Sequence, residues 1–125
     1  MGFISLTKLQ ALLDSLDEKS SMPVTLIDVR SGAEILSSGA IPGSINIPIA
    51  KISQVMLNMD ETRFKNVYGR EKPKKETENV VLTCRSGARA RAAERILNKV
   101  GYKKLRVYEG SFLDWKANNG PLVFE

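Results

Sequence analysis

Val80-Val81-Leu82-Thr83-Cys84-Arg85-Ser86-Gly87-Ala88-Arg89-Ala90 holds the end of a strand, a cysteine, a tight loop and the start of a helix. Asn79 to Thr83 is a short, mostly apolar, β-branched run without alternation, the pattern of a strand covered on both faces. It runs directly into Cys84, and Gly87 then permits a positive φ or a close backbone approach. Beyond the loop, Ala92, Ala93, Ile96, Leu97 and Val100 recur at helical spacing, and Gly101 supplies the stop. In a parallel α/β sheet, ligands bind beyond the carboxyl ends of the strands, and Cys84 sits at such an end. A loop curling there can turn successive N–H groups inward as an anion nest, beside the positive end of the helix dipole. That field favours thiolate over thiol.

The same alternation continues outward. Ser5 reads as an N-cap for a helix carrying Leu6, Leu9, Leu12, Leu13 and Leu16, and Asp17 to Pro23 is a polar break. Val24 to Val29 is a second buried-type strand. Ser31 to Ser38 predicts a short helix ended by Gly39; Ile41-Pro42-Gly43 is a turn, and Ile45 to Ile47 is extended. Ile49 to Met56 allows another short helix. Residues 57–78 are the least regular part, with Phe64, Val67 and Tyr68 able to anchor a short helix and Glu71 to Glu76 a solvated loop. Leu105 to Tyr108 is a third strand, Gly110 turns the chain, and Phe112 to Trp115 form a short helical cap. This order implies an α/β fold, with a parallel sheet and helices on both faces.

The chain has 125 residues, 42% hydrophobic and 26% charged, which suits one globular domain rather than two. It has one cysteine and no histidine. That excludes a Ser-His-Asp triad, a Cys-His dyad, an imidazole metal ligand, an internal disulfide and a Cys-based zinc or iron–sulfur site. An enzyme made from this chain works with Cys84, carboxylates, Arg, Lys, hydroxyls or backbone groups. Net charge is +5, which suggests anionic partners without choosing among them. Between residues 84 and 106, eight Lys and Arg side chains stand against Glu94 alone, a surplus larger than that of the whole chain. Most of them read as a solvated helix face; Arg85 and Arg89 are exceptions because they lie within the loop. The N-terminus has no long apolar run, so neither a signal peptide nor a membrane span is expected. The lone thiol fits a reducing compartment.

Cys84-Arg85-Ser86-Gly87-Ala88-Arg89 resembles the active-site loop of rhodanese-type sulfurtransferases. Asp28-Val29-Arg30, Glu34 and Gly39-Ala40-Ile41-Pro42-Gly43-Ser44-Ile45-Asn46-Ile47-Pro48 are similar to the family's upstream signature. Tyr108-Glu109-Gly110-Ser111-Phe112-Leu113-Asp114-Trp115 is similar to its C-terminal one, and Tyr68-Gly69-Arg70-Glu71-Lys72-Pro73 resembles the small eukaryotic single-domain members. The resemblance implies a rhodanese-like fold over residues 1–125, with a central parallel sheet of about five strands and helices on both faces. It implies no cofactor and no metal. Cys84 would be the nucleophile that takes a sulfane sulfur from thiosulfate or a related persulfide donor. The resulting persulfide would be passed to cyanide or to a thiol such as glutathione.

Arg85 and Arg89 are candidates to hold the anionic donor through paired guanidinium hydrogen bonds. Ser86, Gly87 and Ala88 complete the substrate-binding loop, with Ser86 placed either to donate to sulfur or to cap the helix. Asp28 and Arg30 read as a buried ion pair supporting the site, and Glu34, Gly110 and Trp115 as further support. Two positions depart from the family pattern. Ala40 stands where a histidine is usual, and Ser111 replaces the second glycine of a common Gly-Gly pair.

Other functions compete with this one. A phosphatase or arsenate reductase of the same fold needs five residues between Cys and Arg, whereas Arg89 leaves four and position 90 is Ala. A non-catalytic sulfur carrier or interaction module would keep the loop without turnover. Nucleic-acid binding is disfavoured by 6% aromatics and the lack of a binding motif. The expected partners are small anionic sulfur donors and thiol acceptors, with no nucleic acid, no membrane and a monomeric chain. The expected location is cytoplasmic, with the mitochondrion left open.

Overall fold

Two runs without alternation, Thr25–Asp28 and Val80–Thr83, are buried along their whole length and pair in parallel at the centre of a sheet. The computed structural model describes residues 2–14, 24–76 and 80–124. In chain order the elements are β1 (Gly2–Ile4), α1 (Leu6–Asp14), β2 (Thr25–Asp28), α2 (Gly32–Ser38), β3 (Ser44–Asn46), α3 (Ile49–Asn58), α4 (Glu61–Tyr68), β4 (Val80–Thr83), α5 (Ala88–Lys99), β5 (Arg106–Tyr108) and α6 (Ser111–Ala117). The sheet has five strands in the order β1-β5-β4-β2-β3, every pair parallel. This is the expected α/β architecture. The positions expected at Leu16, Asp17 to Pro23 and Asn79 lie outside the described residues.

Successive side chains on the central strands β2, β4 and β5 enter opposite cores. On one face Ile27, Leu82 and Val107 meet Ile52 of α3, Phe64 of α4 and Leu97 of α5. On the other face Leu26, Val81 and Tyr108 meet Leu9 of α1 and Trp115 of α6. A one-residue slip of either central strand would exchange the two sets, so burial on both faces fixes the register that places Cys84.

Residues 57–78 are more regular than expected. Asp60 accepts the Arg63 N–H at 2.7 Å and caps α4, and Gly69 ends it in the left-handed region at φ 76°. α2 opens on a capping box: Ser31 Oγ accepts the Glu34 N–H, while Glu34 Oε1 accepts the Ser31 N–H. After α6 the chain returns to this region. Ala40 and Val123 exchange backbone hydrogen bonds of 2.8 Å each, and the Phe124 ring covers Gly39.

Candidate active site

Cys84 follows β4 directly, and its side chain is 1% exposed. The Gly87 N–H donates to Cys84 Sγ at 3.0 Å, which closes the loop under the sulfur. Gly87 does this at φ 104°, and a Cβ there would collide with the Glu109 carbonyl oxygen. Glycine is therefore required twice, for the dihedral and for the close approach. α5 starts at the next residue, Ala88, so its N-terminal end is directed at the same loop.

The loop is held from outside by the corner between β5 and α6. The Phe112 N–H donates to the Cys84 carbonyl at 2.9 Å, and the Leu113 N–H donates to the Arg85 carbonyl at 3.0 Å. These are first-turn amides of α6, which have no partner inside their own helix. Ser111 is fully buried and adopts φ 55°, a region that usually requires glycine. Its hydroxyl donates to the Tyr108 carbonyl at 2.7 Å, accepts the Cys84 N–H at 3.1 Å and lies 4.0 Å from Cys84 Sγ. Gly110 itself has an ordinary helical φ of −64°, so the positive φ of this corner belongs to Ser111. The Tyr108 hydroxyl donates to Asp114 Oδ2 at 2.6 Å, and burial together with that carboxylate raises the phenol above its usual range.

Asp28 and Arg30 form the expected buried pair. Arg30 Nη2 lies 2.7 Å from Asp28 Oδ2, and both side chains are 1% exposed. The same nitrogen donates to the Gly39 carbonyl at 2.9 Å, and the guanidinium carbon lies 4.1 Å from the Phe112 ring centroid. Arg30 thus bridges β2, the end of α2 and the α6 corner. Glu34 and Arg89 meet in a two-pronged ion pair of 2.6 and 2.9 Å. Hydrogen bonding to Arg89 holds the Glu34 carboxyl down at about 2, and Glu34 in turn raises Arg89, with smaller contributions from Cys84 and Asp28.

Arg85, Ser86 and Ala88 are exposed at the loop. Arg85 has no ion pair among the described residues. Ser86 does not cap the helix: the cap position of α5 is Gly87, with no side-chain hydrogen bond, because the strained glycine falls where a capping serine would have to be. Arg89 is turned toward Glu34 as well as lying beside the loop. Trp115 is core, 3% exposed, with its indole N–H donating to the Pro121 carbonyl at 2.8 Å, so it supports α6 from below. Sequence reasoning flagged Ser111 as a departure but missed its hydroxyl as a partner of Cys84. The signal was there: a side chain at a position that usually has none must point somewhere. Phe112 was also missed as the ring under Arg30.

Residues 5–118 match the Rhodanese-like domain family. A rhodanese domain-containing protein of Drosophila melanogaster is 44% identical over 97 residues, covering 78% of this chain and 86% of its own. The thiosulfate:glutathione sulfurtransferase of Homo sapiens is 36% identical over 112 residues, 90% of each chain. The solved structure of the human single-domain sulfurtransferase TSTD1 superposes with a TM-score of 0.79 at 34% identity, covering 94% of this chain and 96% of that one. With a cysteine loop between β4 and α5, and relatives matched along nearly the whole length, the chain belongs to the rhodanese family.

Proposed function

We propose that the protein is a thiosulfate sulfurtransferase working through a persulfide on Cys84. The observation that carries this reading is the 3.0 Å contact from the Gly87 N–H to Cys84 Sγ, in a loop backed by the start of α5. A backbone donor aimed at sulfur stabilises an anion there without a neighbouring base. The names of the human relative and of the matched human structure support the same chemistry.

In the first half-reaction the Cys84 thiolate attacks the sulfane sulfur of the donor. An S–S bond to Cys84 forms, the donor's own S–S bond breaks, and with thiosulfate the bonding pair leaves on sulfite. In the second half-reaction cyanide or a thiolate attacks the outer sulfur, the new S–S bond breaks, and the Cys84 thiolate is restored. The attacking thiolate and the persulfide each carry one negative charge, so the Gly87 N–H serves both. Arg85, exposed and without an ion pair among the described residues, meets the anionic end of the donor. The lone thiol suits a reducing compartment such as the cytoplasm.

Intact-mass measurement after incubation with thiosulfate tests this reading. The expected result is a gain of one sulfur atom, absent in Cys84→Ala and removed by cyanide with release of thiocyanate. Repeated turnover separates an enzyme from a carrier that loads once. A wild-type chain that takes up no sulfur, or a Cys84→Ala chain that still transfers it, overturns the proposal.

A further inference from the structure

Glu34 and Arg89 are 55 residues apart in sequence, yet they make a two-pronged ion pair whose shorter arm is 2.6 Å. Glu34 is held by Ser31 of its own helix cap as well as by Arg89. Its Oε1 accepts from the Ser31 N–H and the Ser31 hydroxyl, both at 3.1 Å, and from Arg89 at 2.6 Å; its Oε2 accepts the second Arg89 nitrogen at 2.9 Å. α2 therefore offers a carboxylate to the first turn of α5. Arg89 belongs to the loop that holds Cys84 and remains 37% exposed, so its charge is at the mouth of the site rather than in the core. A guanidinium engaged by both carboxylate oxygens presents little net charge to an approaching anion. Arg85, on the same loop, is exposed and unpaired among the described residues.

We propose that Glu34 is a specificity-determining residue: by neutralising Arg89 it limits the positive charge at the mouth of the Cys84 loop, and so holds down the preference for a dianion such as thiosulfate over a singly charged sulfane donor such as an alkanethiosulfonate. The proposal rests on the sulfurtransferase reading for its substrates, but not for its electrostatics. Its positioning role is exerted through Arg89; Glu34 itself need not touch the donor.

The test is a charge ladder. Glu34→Gln leaves Arg89 unneutralised and keeps a residue that serves in a capping box. Arg89→Gln leaves the carboxylate unneutralised. The double variant Glu34→Gln with Arg89→Gln restores the wild-type net charge. Adding or removing one unit charge at about 6 Å in water changes the encounter of a singly charged reagent by about threefold, and that of a dianion by about tenfold.

Two readouts use the ladder. The first is persulfide loading by thiosulfate against loading by methanethiosulfonate. The thiosulfate preference should rise about threefold in Glu34→Gln, fall about threefold in Arg89→Gln and return in the double variant. The second is the rate of alkylation of the sole cysteine by iodoacetate relative to iodoacetamide. Any change in thiolate fraction cancels in that ratio, and the same steps are expected. A merely structural role would slow both reagents alike and leave both ratios flat. Flat ratios overturn the proposal, as does a fall in Glu34→Gln. A wild-type chain that takes up no sulfur defeats the sulfurtransferase reading, while the alkylation ratio still decides the role of Glu34. If Glu34→Gln does not fold, Arg89→Gln provides the opposite step by itself.

Discussion

Replacing Ser111 separates two effects that oppose each other at one residue. The hydroxyl accepts the Cys84 N–H and donates to the Tyr108 carbonyl in a site with no solvent exposure. Ser111→Ala removes both partners and leaves a buried N–H unsatisfied, at a cost of about 2–3 kcal/mol. Alanine also keeps a Cβ at φ 55°. Ser111→Gly loses the same hydrogen bonds but relieves the left-handed backbone, which returns about 1 kcal/mol. The glycine variant should therefore lie between wild type and the alanine variant. With a urea m-value of about 2 kcal/mol/M, the midpoint should fall by about 1.2 M for alanine and about 0.7 M for glycine. Equilibrium urea unfolding followed by Trp115 fluorescence reads both. A glycine variant as stable as wild type would show that the hydroxyl contacts contribute nothing net. An alanine variant at or above the glycine one would refute the claim that the dihedral is strained.

Gly87→Ala places a Cβ against the Glu109 carbonyl at a φ of 104°, so a loss of about 2–3 kcal/mol and a failure to load sulfur are expected; unaltered thermal stability would refute the close approach. Asp28→Asn strips the charge partner from a guanidinium that is 1% exposed, which should cost about 3–5 kcal/mol by denaturant titration, and a cost under about 1 kcal/mol would mean the pair is dispensable. Glu34 in the folded chain holds its proton off down to about 2, against 4.5 as its ordinary value. Its contribution is thus complete above the unfolded value and disappears as pH falls from there toward 2. Because the pair is about a third exposed, the stability gap between wild type and Glu34→Gln should be only about 1 kcal/mol at pH 7. That gap should close on acid titration; a gap that widens below pH 4 would contradict the ion pair.

What could be read from sequence, and what could not, follows from how far each interaction reaches along the chain. β2 and β4 were legible because burial on both faces leaves a compact apolar, β-branched run with no alternation. The loop was legible because Cys84 and Gly87 sit within four residues of the strand end. α4 was only half legible, since Phe64 is its one buried side chain and a single apolar residue sets no period; Asp60 and Gly69 were the better signals. The Glu34–Arg89 pair was not legible at all. Both residues were singled out, but no local pattern says which of several cations a carboxylate will meet 55 residues away. Ser111 was noticed as an exception to glycine, whereas its use of the hydroxyl depends on the β5–α6 corner lying against Cys84.

That corner explains why the C-terminal block from Tyr108 to Trp115 bears on a site built around Cys84. Within the block, the Ser111 hydroxyl is the side-chain group that reaches the sulfur by hydrogen bonding, at 4.0 Å. What the block supplies is two backbone donors, from Phe112 to the Cys84 carbonyl and from Leu113 to the Arg85 carbonyl. A trans peptide is planar, and its C=O and N–H point in opposite directions. Fixing those two carbonyls toward α6 therefore turns the N–H groups of Arg85 and Ser86 away from α6. The shape of the loop is thus not a property of its own residues alone. It is set by the register of α6, which Trp115 anchors through the Pro121 carbonyl and Tyr108 through Asp114. A substitution that loosens α6 should then impair sulfur loading while leaving every loop residue in place.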